Sequence, residues 1–249
     1  MDPQLLREQA ALEKTHWWFV ARRRILDGVV AGLGLPANAR ILEAGCGTGG
    51  NLPMLARHGE VFAFDVSETA RSLASEWGVA ELSAGSLPDH IPFAEGHFDL
   101  VVLLDVLEHV EDDGAALRAL RTRLKPGGLL LITVPALPAL WSYHDERHQH
   151  FRRYHKSELI VRVQESGYVL TRVTYFNSLL FPLVVAARLV RRLIGGESQD
   201  DLGFPSRWLN GLLQGIFGSE RYLVGRFPLL IGASLLMVAR LSQDMVWEE

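Results

Sequence analysis

The chain has 249 residues, a formal net charge of −4 and 22% charged residues, which excludes the dominant basic face of a nucleic-acid binder. Its single cysteine, Cys46, rules out an internal disulfide and suits a reducing, cytoplasmic setting. The length allows one large α/β domain with an elaborated subdomain, and residues 1–249 are read as a single domain. The first residues lack the basic start and apolar core of a secretion signal, and no uncharged apolar run reaches the ~18 residues of a membrane span.

In chain order, residues 3–33 read as helical, within an N-terminal helical cap over 1–35. Ile25, Leu26, Val29 and Val30 form a clear apolar face. Ahead of it lies His16-Trp17-Trp18-Phe19, followed by Arg22-Arg23-Arg24. Adjacent tryptophans stand about 100° apart on a helix, so at least one needs a partner off the main core. Either the segment is a lid over a ligand, or an aromatic packs the helix onto a sheet. Gly34 and Pro36 end the helices. A short apolar strand, Ile41-Leu42, then leads to Glu43 and the glycines Gly45, Gly47, Gly49 and Gly50, before a helix-compatible run over 52–57. Strand, glycine turn and helix let backbone amides approach a ligand closely. A second strand, Val61 to Phe64, ends in Asp65, spaced to accept hydrogen bonds from ribose hydroxyls. The expectation is a nucleoside-bearing cofactor at the C-terminal edge of a parallel sheet. Gly45-x-Gly47-x-x-Gly50 also fits the dinucleotide fingerprint, so an NAD(P)-dependent oxidoreductase is an alternative. Glu43 argues against it, because a carboxylate there would repel a pyrophosphate and suit an ammonium group.

Glu43 to Gly49, EAGCGTG, resembles motif I of the class I S-adenosylmethionine (SAM)-dependent methyltransferases. SAM has an ammonium and a sulfonium and no phosphate. FDLVVLLDVLEHV, residues 98–110, is similar to motif IV of that family, and LKPGGLLLITVP, residues 124–135, resembles its turn into strand five. The resemblance covers about residues 38–176 plus the final strand. It implies a doubly wound, mostly parallel, Rossmann-like sheet with SAM as cofactor. The cofactor-binding residues it implies are Trp17, Glu43, Gly45, Cys46, Gly47, Asn51, Asp65, Val66, Ser86, Leu87, Leu104, Asp105 and Val106. Trp17 would belong to a cap that closes over SAM. Family members often read the adenine amino group with an acid near Ser86, where Asp89 is the alternative. A module that binds SAM without catalysis is a further alternative.

Ser67 reads as the N-cap of the next helix, and a weaker strand falls around Glu81-Leu82. Phe98 to Leu104 is a continuous apolar strand, as in a sheet covered on both faces. Asp105, at its tip, reads as a structural or cofactor contact, and Glu108 and His109 as ties to neighbouring loops. Leu117, Leu120 and Leu124 form a helix stripe before the apolar strand Leu129 to Val134, which implies right-handed crossovers. Residues 144–155 then hold His144, His148, His150 and His155, four of the nine histidines. His144, or else His148 or His150, is the candidate general base for an acceptor hydroxyl, with Arg152 anchoring an acidic group. A metal site from His144, His148 and Asp145 is opposed by Arg152 and Arg153, and no metal is expected. A polar loop is the third reading. A helix opens at Ser157, and a strand runs from about Val169 to Phe176. Residues 178–228 form a helical insertion before the final strand, Ala233 to Arg240. Seven arginines against four acids over 178–240, beside apolar runs, suit peripheral membrane contact or a lipid-like acceptor. The competing reading buries those runs on the sheet or on the second subunit of a homodimer. Residues 195–203 read as a mobile loop. The function expected is methyl transfer, at oxygen, to a small-molecule or lipid-linked acceptor.

Overall fold

The computed structural model describes residues 3–194 and 205–241, so the loop expected over 195–203 lies outside the described residues. The strands are β1 (Arg40–Ala44), β2 (Glu60–Asp65), β3 (Ala80–Ala84), β4 (Phe98–Leu104), β5 (Leu124–Pro135), β6 (Tyr168–Phe176) and β7 (Ser234–Leu241). They form one sheet in the order β3-β2-β1-β4-β5-β7-β6. β1 to β5 pair in parallel, and β7 runs antiparallel to both of its neighbours. This is the doubly wound, mostly parallel sheet that the sequence implies.

Alternation along each strand feeds two cores. Ile41, Leu100, Val102 and Leu131 point to one face. There they meet Ile25, Leu26 and Val29 of α2 (Trp17–Ala31) and Leu52 and Leu55 of α3 (Leu52–Leu55). Leu42, Val101, Leu103 and Ile132 point to the other. They meet Leu117 and Leu120 of α5 (Asp113–Arg121) and Leu159 of α7 (Lys156–Glu165). α4 (Glu68–Ser75) connects β2 to β3, and Ser67 caps it by accepting from the Ala70 amide, as expected.

The N-terminal segment consists of two helices. α1 (Pro3–Glu13) stops before His16, whose ring accepts from the Trp18 amide and starts α2. α1 then lies across the C-terminal edge of the sheet. Glu13 accepts from the Thr48 hydroxyl at 2.6 Å and so joins the helix to the glycine turn.

Among its described residues the insertion holds two α-helices of different character. α6 (Tyr143–Arg147) precedes it in the chain, and the insertion itself holds α8 (Phe181–Ile194) and α9 (Arg207–Ser219). α9 packs on α2. Phe217 is fully buried, stacks on Phe176 and meets Trp17 edge-on at 6.0 Å. Asn210 accepts from the Trp17 amide at 2.9 Å and donates to the Thr15 carbonyl at 3.0 Å. Glu220 accepts from the Ser178 and Leu179 amides at 2.7 and 2.8 Å, which pins the two ends of the insertion together. α8, in contrast, leaves Leu183, Leu189 and Val190 exposed. Among the described residues, no helix is long and apolar enough to cross a membrane.

If α9 belongs to the core of the cap, Phe217→Ala should lower stability by roughly 3–5 kcal/mol, the usual cost of deleting a buried ring. Trp208→Ala, on the outer face of the same helix, should change it by less than about 0.5 kcal/mol. Thermal melts of the two variants would measure this, and equal losses would refute the packing described.

Candidate active site

A cleft of about 1400 Å³ runs along the C-terminal edge of the sheet beneath α1 and α2. Typical single-ligand pockets hold roughly 300–1,000 Å³, so this one has room for two reactants. Its floor is the glycine turn, where Gly45, Gly47 and Gly49 all have positive φ. A Cβ on Gly45 would sit 2.7 Å from Val106, whereas one on Gly47 would meet nothing within 4 Å. The backbone at Gly47 therefore faces open cleft. Asp65 braces the turn: its carboxylate accepts from the Gly47 amide at 2.9 Å and from the Ser67 amide at 2.8 Å. Val66 is 76% exposed, an apolar side chain presented to the cleft. Ser86 and Leu87 form part of the same wall, but Ser86 exchanges both backbone hydrogen bonds with His90. Asp89 is exposed and does not line the cleft. Cys46 does line it, and burial pushes its thiol far above the ordinary range, which fits an inert small residue.

Behind the turn lies a polar network. Arg22 is 4% exposed, and its guanidinium pairs with Asp105 at 2.8 Å. It also donates to the Thr133 hydroxyl at 2.9 Å and to Asn51 at 3.3 Å. Asn51 in turn donates to Glu43 at 2.9 Å. Arg22, Asn51 and Asp105 reach the cleft, as do Trp17, Leu104 and Val106. Glu43 does not. It is 1% exposed beneath Asn51, and burial pushes its carboxyl up to about 8 although Asn51 and Arg22 pull the other way. Its side chain shares the face of Ile41 by strand alternation, so it points into the core and is neutral near pH 7. This corrects the direct ammonium contact expected of Glu43, and with it the charge argument against a pyrophosphate.

The acceptor end is a histidine loop. His144 and His148 line the cleft, their ring centroids 4.2 Å apart, as one helix face requires. Burial holds His144 down to about 3 and His148 to about 4, so both are neutral and weakly basic at neutral pH. That is a poor match to a general base, whose pKa works best near the operating pH. Arg152 turns out of the cleft, to Asp113 at 3.0 Å and the Glu111 carbonyl at 2.6 Å. The acid-anchoring role expected of it is therefore corrected. Its neighbour Arg153 lines the cleft instead, but pairs with the fully buried Asp145 at 2.8 Å. Two residues the sequence reading left without a role also build the site. Arg22 braces Asp105, and Glu13 closes on the glycine turn. Arg22 carried a signal, since with Ile25, Leu26 and Val29 it follows the i, i+3, i+4, i+7 spacing of a buried face.

A methyltransferase-domain family matches residues 18–173. The chain belongs to the class I SAM-dependent methyltransferases. Its curated relatives include the protein of Xanthomonas axonopodis pv. citri named ubiquinone biosynthesis O-methyltransferase. The two are 39% identical over 114 residues, 43% of this chain and 48% of the relative. The chain spans about half the length of the curated relatives it matches. Among solved structures, the complex between the Haloferax volcanii Trm112 methyltransferase activator and its methyltransferase contains a similar fold. That match has a TM-score of 0.65 at 17% identity and covers 98% of this chain and 97% of that one. The [4+2]-cyclase SpnF also matches, with a TM-score of 0.60 at 18% identity over 88% of this chain and 81% of that one. The methyltransferase fold therefore houses more than one chemistry, and the site must carry the functional argument.

The position of Glu43 has a measurable consequence. Its carboxyl is raised from 4.5 to about 8 on folding, so the folded state holds its proton more tightly than the unfolded chain. Stability contributed by the protonated form is complete below pH 4.5 and is lost as pH rises through about 8, by at most on the order of 5 kcal/mol. Glu43→Gln keeps the Asn51 contact and has no proton to lose. Melting temperatures should show the variant gaining on the parent between pH 5 and pH 8.5, and a constant difference would refute the burial effect.

Proposed function

We propose that the protein transfers the methyl group of SAM to an oxygen of a small-molecule or lipid-linked acceptor. The observation that carries this reading is the continuity of the cleft. One cavity joins the open backbone face of Gly47, beside the Asp65 carboxylate, to the histidine loop at the far end. The first part fits a sulfur nucleoside, and the second leaves room for an acceptor. Similarity to relatives named as O-methyltransferases supports oxygen as the acceptor atom.

Bound SAM supplies an electrophilic methyl group on a sulfonium, open to in-line attack. The residues of this chain divide the remaining work. Asp65 would accept from the ribose hydroxyls through the remaining lone pairs of its two oxygens, one of which takes the Gly47 amide and the other the Ser67 amide. Val66 and Leu87 would flank the adenine. Arg22 would face the carboxylate of the methionine end, with Asp105 and Asn51 beside its ammonium. Trp17, Trp18 and Phe19, together with α1, would cover the site and exclude water, holding donor and acceptor near contact. His144 and His148 would accept a hydrogen bond from the acceptor hydroxyl.

The lipid-linked class is supported by α8. Val184 and Ala187 line the cleft while Leu183, Leu189 and Val190 of the same helix are exposed, so one helix presents apolar side chains both to the site and to the surface. A cytoplasmic protein touching a membrane through residues 178–228 would collect such an acceptor there.

Calorimetric titration with SAM should give one site, and Asp65→Ala should weaken it at least about tenfold, the loss of one charge-assisted contact. Asp89→Ala, outside the cleft, should leave it unchanged. Incubation with methyl-labelled SAM and fractionated lipid and polar extracts should then label an extractable product. SAM binding without transfer to any fraction would leave a binding module, and failure to bind SAM would overturn the reading altogether.

A further inference from the structure

We propose that Glu108, His109 and His150 form a divalent-metal site, for an ion of the Zn²⁺ class, at the acceptor end of the cleft. Each side chain offers one ligand atom, and these atoms lie within 4.8 Å of one another. Bonds of about 2.0–2.1 Å in a tetrahedral site put ligand atoms roughly 3.4 Å apart, so modest side-chain rotations complete the shell. Two imidazoles and a carboxylate are a donor set that suits such an ion and leaves a position open.

Two observations beyond proximity point to a cation. Glu108 is 1% exposed, and neither of its carboxylate oxygens has a hydrogen-bond partner among the described residues. A buried carboxylate is costly unless something satisfies it, and a dication would satisfy both oxygens. His150 also has the outer partner that metal-binding imidazoles use. His150 Nδ1 meets Asp145 Oδ1 at 3.0 Å, which leaves Nε2 for the ion. Asp145 is itself held by the Ser142 amide at 2.8 Å and by Arg153 at 2.8 Å.

The nearby cations do not oppose the ion as the sequence implied. Arg152 is turned away to Asp113, Arg153 is paired with Asp145, and Arg22 is paired with Asp105. His144 and His148 add two imidazoles, their ring centroids 6.1 and 6.2 Å from that of His150.

All three ligands line the cleft, so the open position faces the acceptor. Resting on the methyl-transfer reading above, the ion would take an acceptor hydroxyl, whose proton then passes to solvent water. The oxygen forms its bond to the methyl carbon as the sulfur–carbon bond breaks, and that electron pair stays on sulfur.

The test uses the full chain, freed of metal with a chelator and titrated with Co²⁺ and then Zn²⁺, without SAM or acceptor. One equivalent of Co²⁺ should bind with a visible d–d absorption, and Zn²⁺ should displace it. Glu108→Gln, nearly isosteric, and His150→Ala should each weaken binding at least about 100-fold, and Asp145→Asn about 10–100-fold. His90→Ala, on the exposed loop outside the cleft, should bind as the parent does. Circular dichroism and SAM calorimetry on each variant separate lost ligation from lost fold. Absence of saturable one-to-one binding, or equal binding by folded Glu108→Gln, overturns the site. SAM binding without metal binding sinks this inference alone, and metal binding without methyl transfer sinks the proposed function and leaves the site standing.

Discussion

The Asp65 carboxylate holds two backbone amides, one on the glycine turn and one at the start of α4. A turn with three glycines at positive φ has many conformations open to it, and glycine loses the most freedom on ordering. These two bonds select one of them. The Gly45 and Cys46 amides, both donating to the Phe64 carbonyl, lock the other side of the turn. With the turn set, the Thr48 hydroxyl is in place for Glu13, and through it α1 is drawn over the cleft. Floor, wall and lid of the cavity thus follow from one carboxylate at the tip of β2.

A second constraint runs through α2. Arg22 reaches into the sheet edge, while Trp17, five residues earlier, leans on Phe217 of the insertion. The two contacts fall on opposite flanks of one helix, so the cap is fastened to the sheet by a buried ion pair and to α9 by aromatic packing. Losing Asp105 would leave the 4%-exposed Arg22 guanidinium without its counter-ion, a costly state for a buried charge. α2 and α9 are therefore mechanically one unit, although about 190 residues of chain separate Trp17 from Asn210, which hydrogen-bonds its amide.

The fold was readable because the central strands are unbroken apolar runs and the helices between them carry clear stripes. Phe98 to Leu104 and Leu129 to Val134 have no other stable place than a sheet covered on both faces. The site was less readable, for reasons of direction rather than identity. Glu43 lies where expected along the chain, but strand alternation turns it inward with Ile41. Arg152 and Arg153 are neighbours of the same type, and only tertiary packing decides that the second faces the cleft. The histidine cluster was visible as composition. Its partners Glu108 and His109 come from a turn some 40 residues earlier, brought in by the Phe151 amide donating to the Glu108 carbonyl. No local pattern announces that bond.

β7, the last strand described, lies between β5 and β6 and not at the rim of the sheet. As the protein is made from its N-terminus, β5 has an open edge and β6 no strand beside it until residues 234–241 clear the ribosome. Both present rows of unmatched amides and carbonyls next to apolar side chains, a ready template for joining another nascent chain. Every residue in the connection between β6 and β7 lengthens that interval. A cell producing this protein must therefore shield a half-closed sheet for as long as the insertion takes to translate, which makes chaperone supply and translation speed part of how the native state is reached.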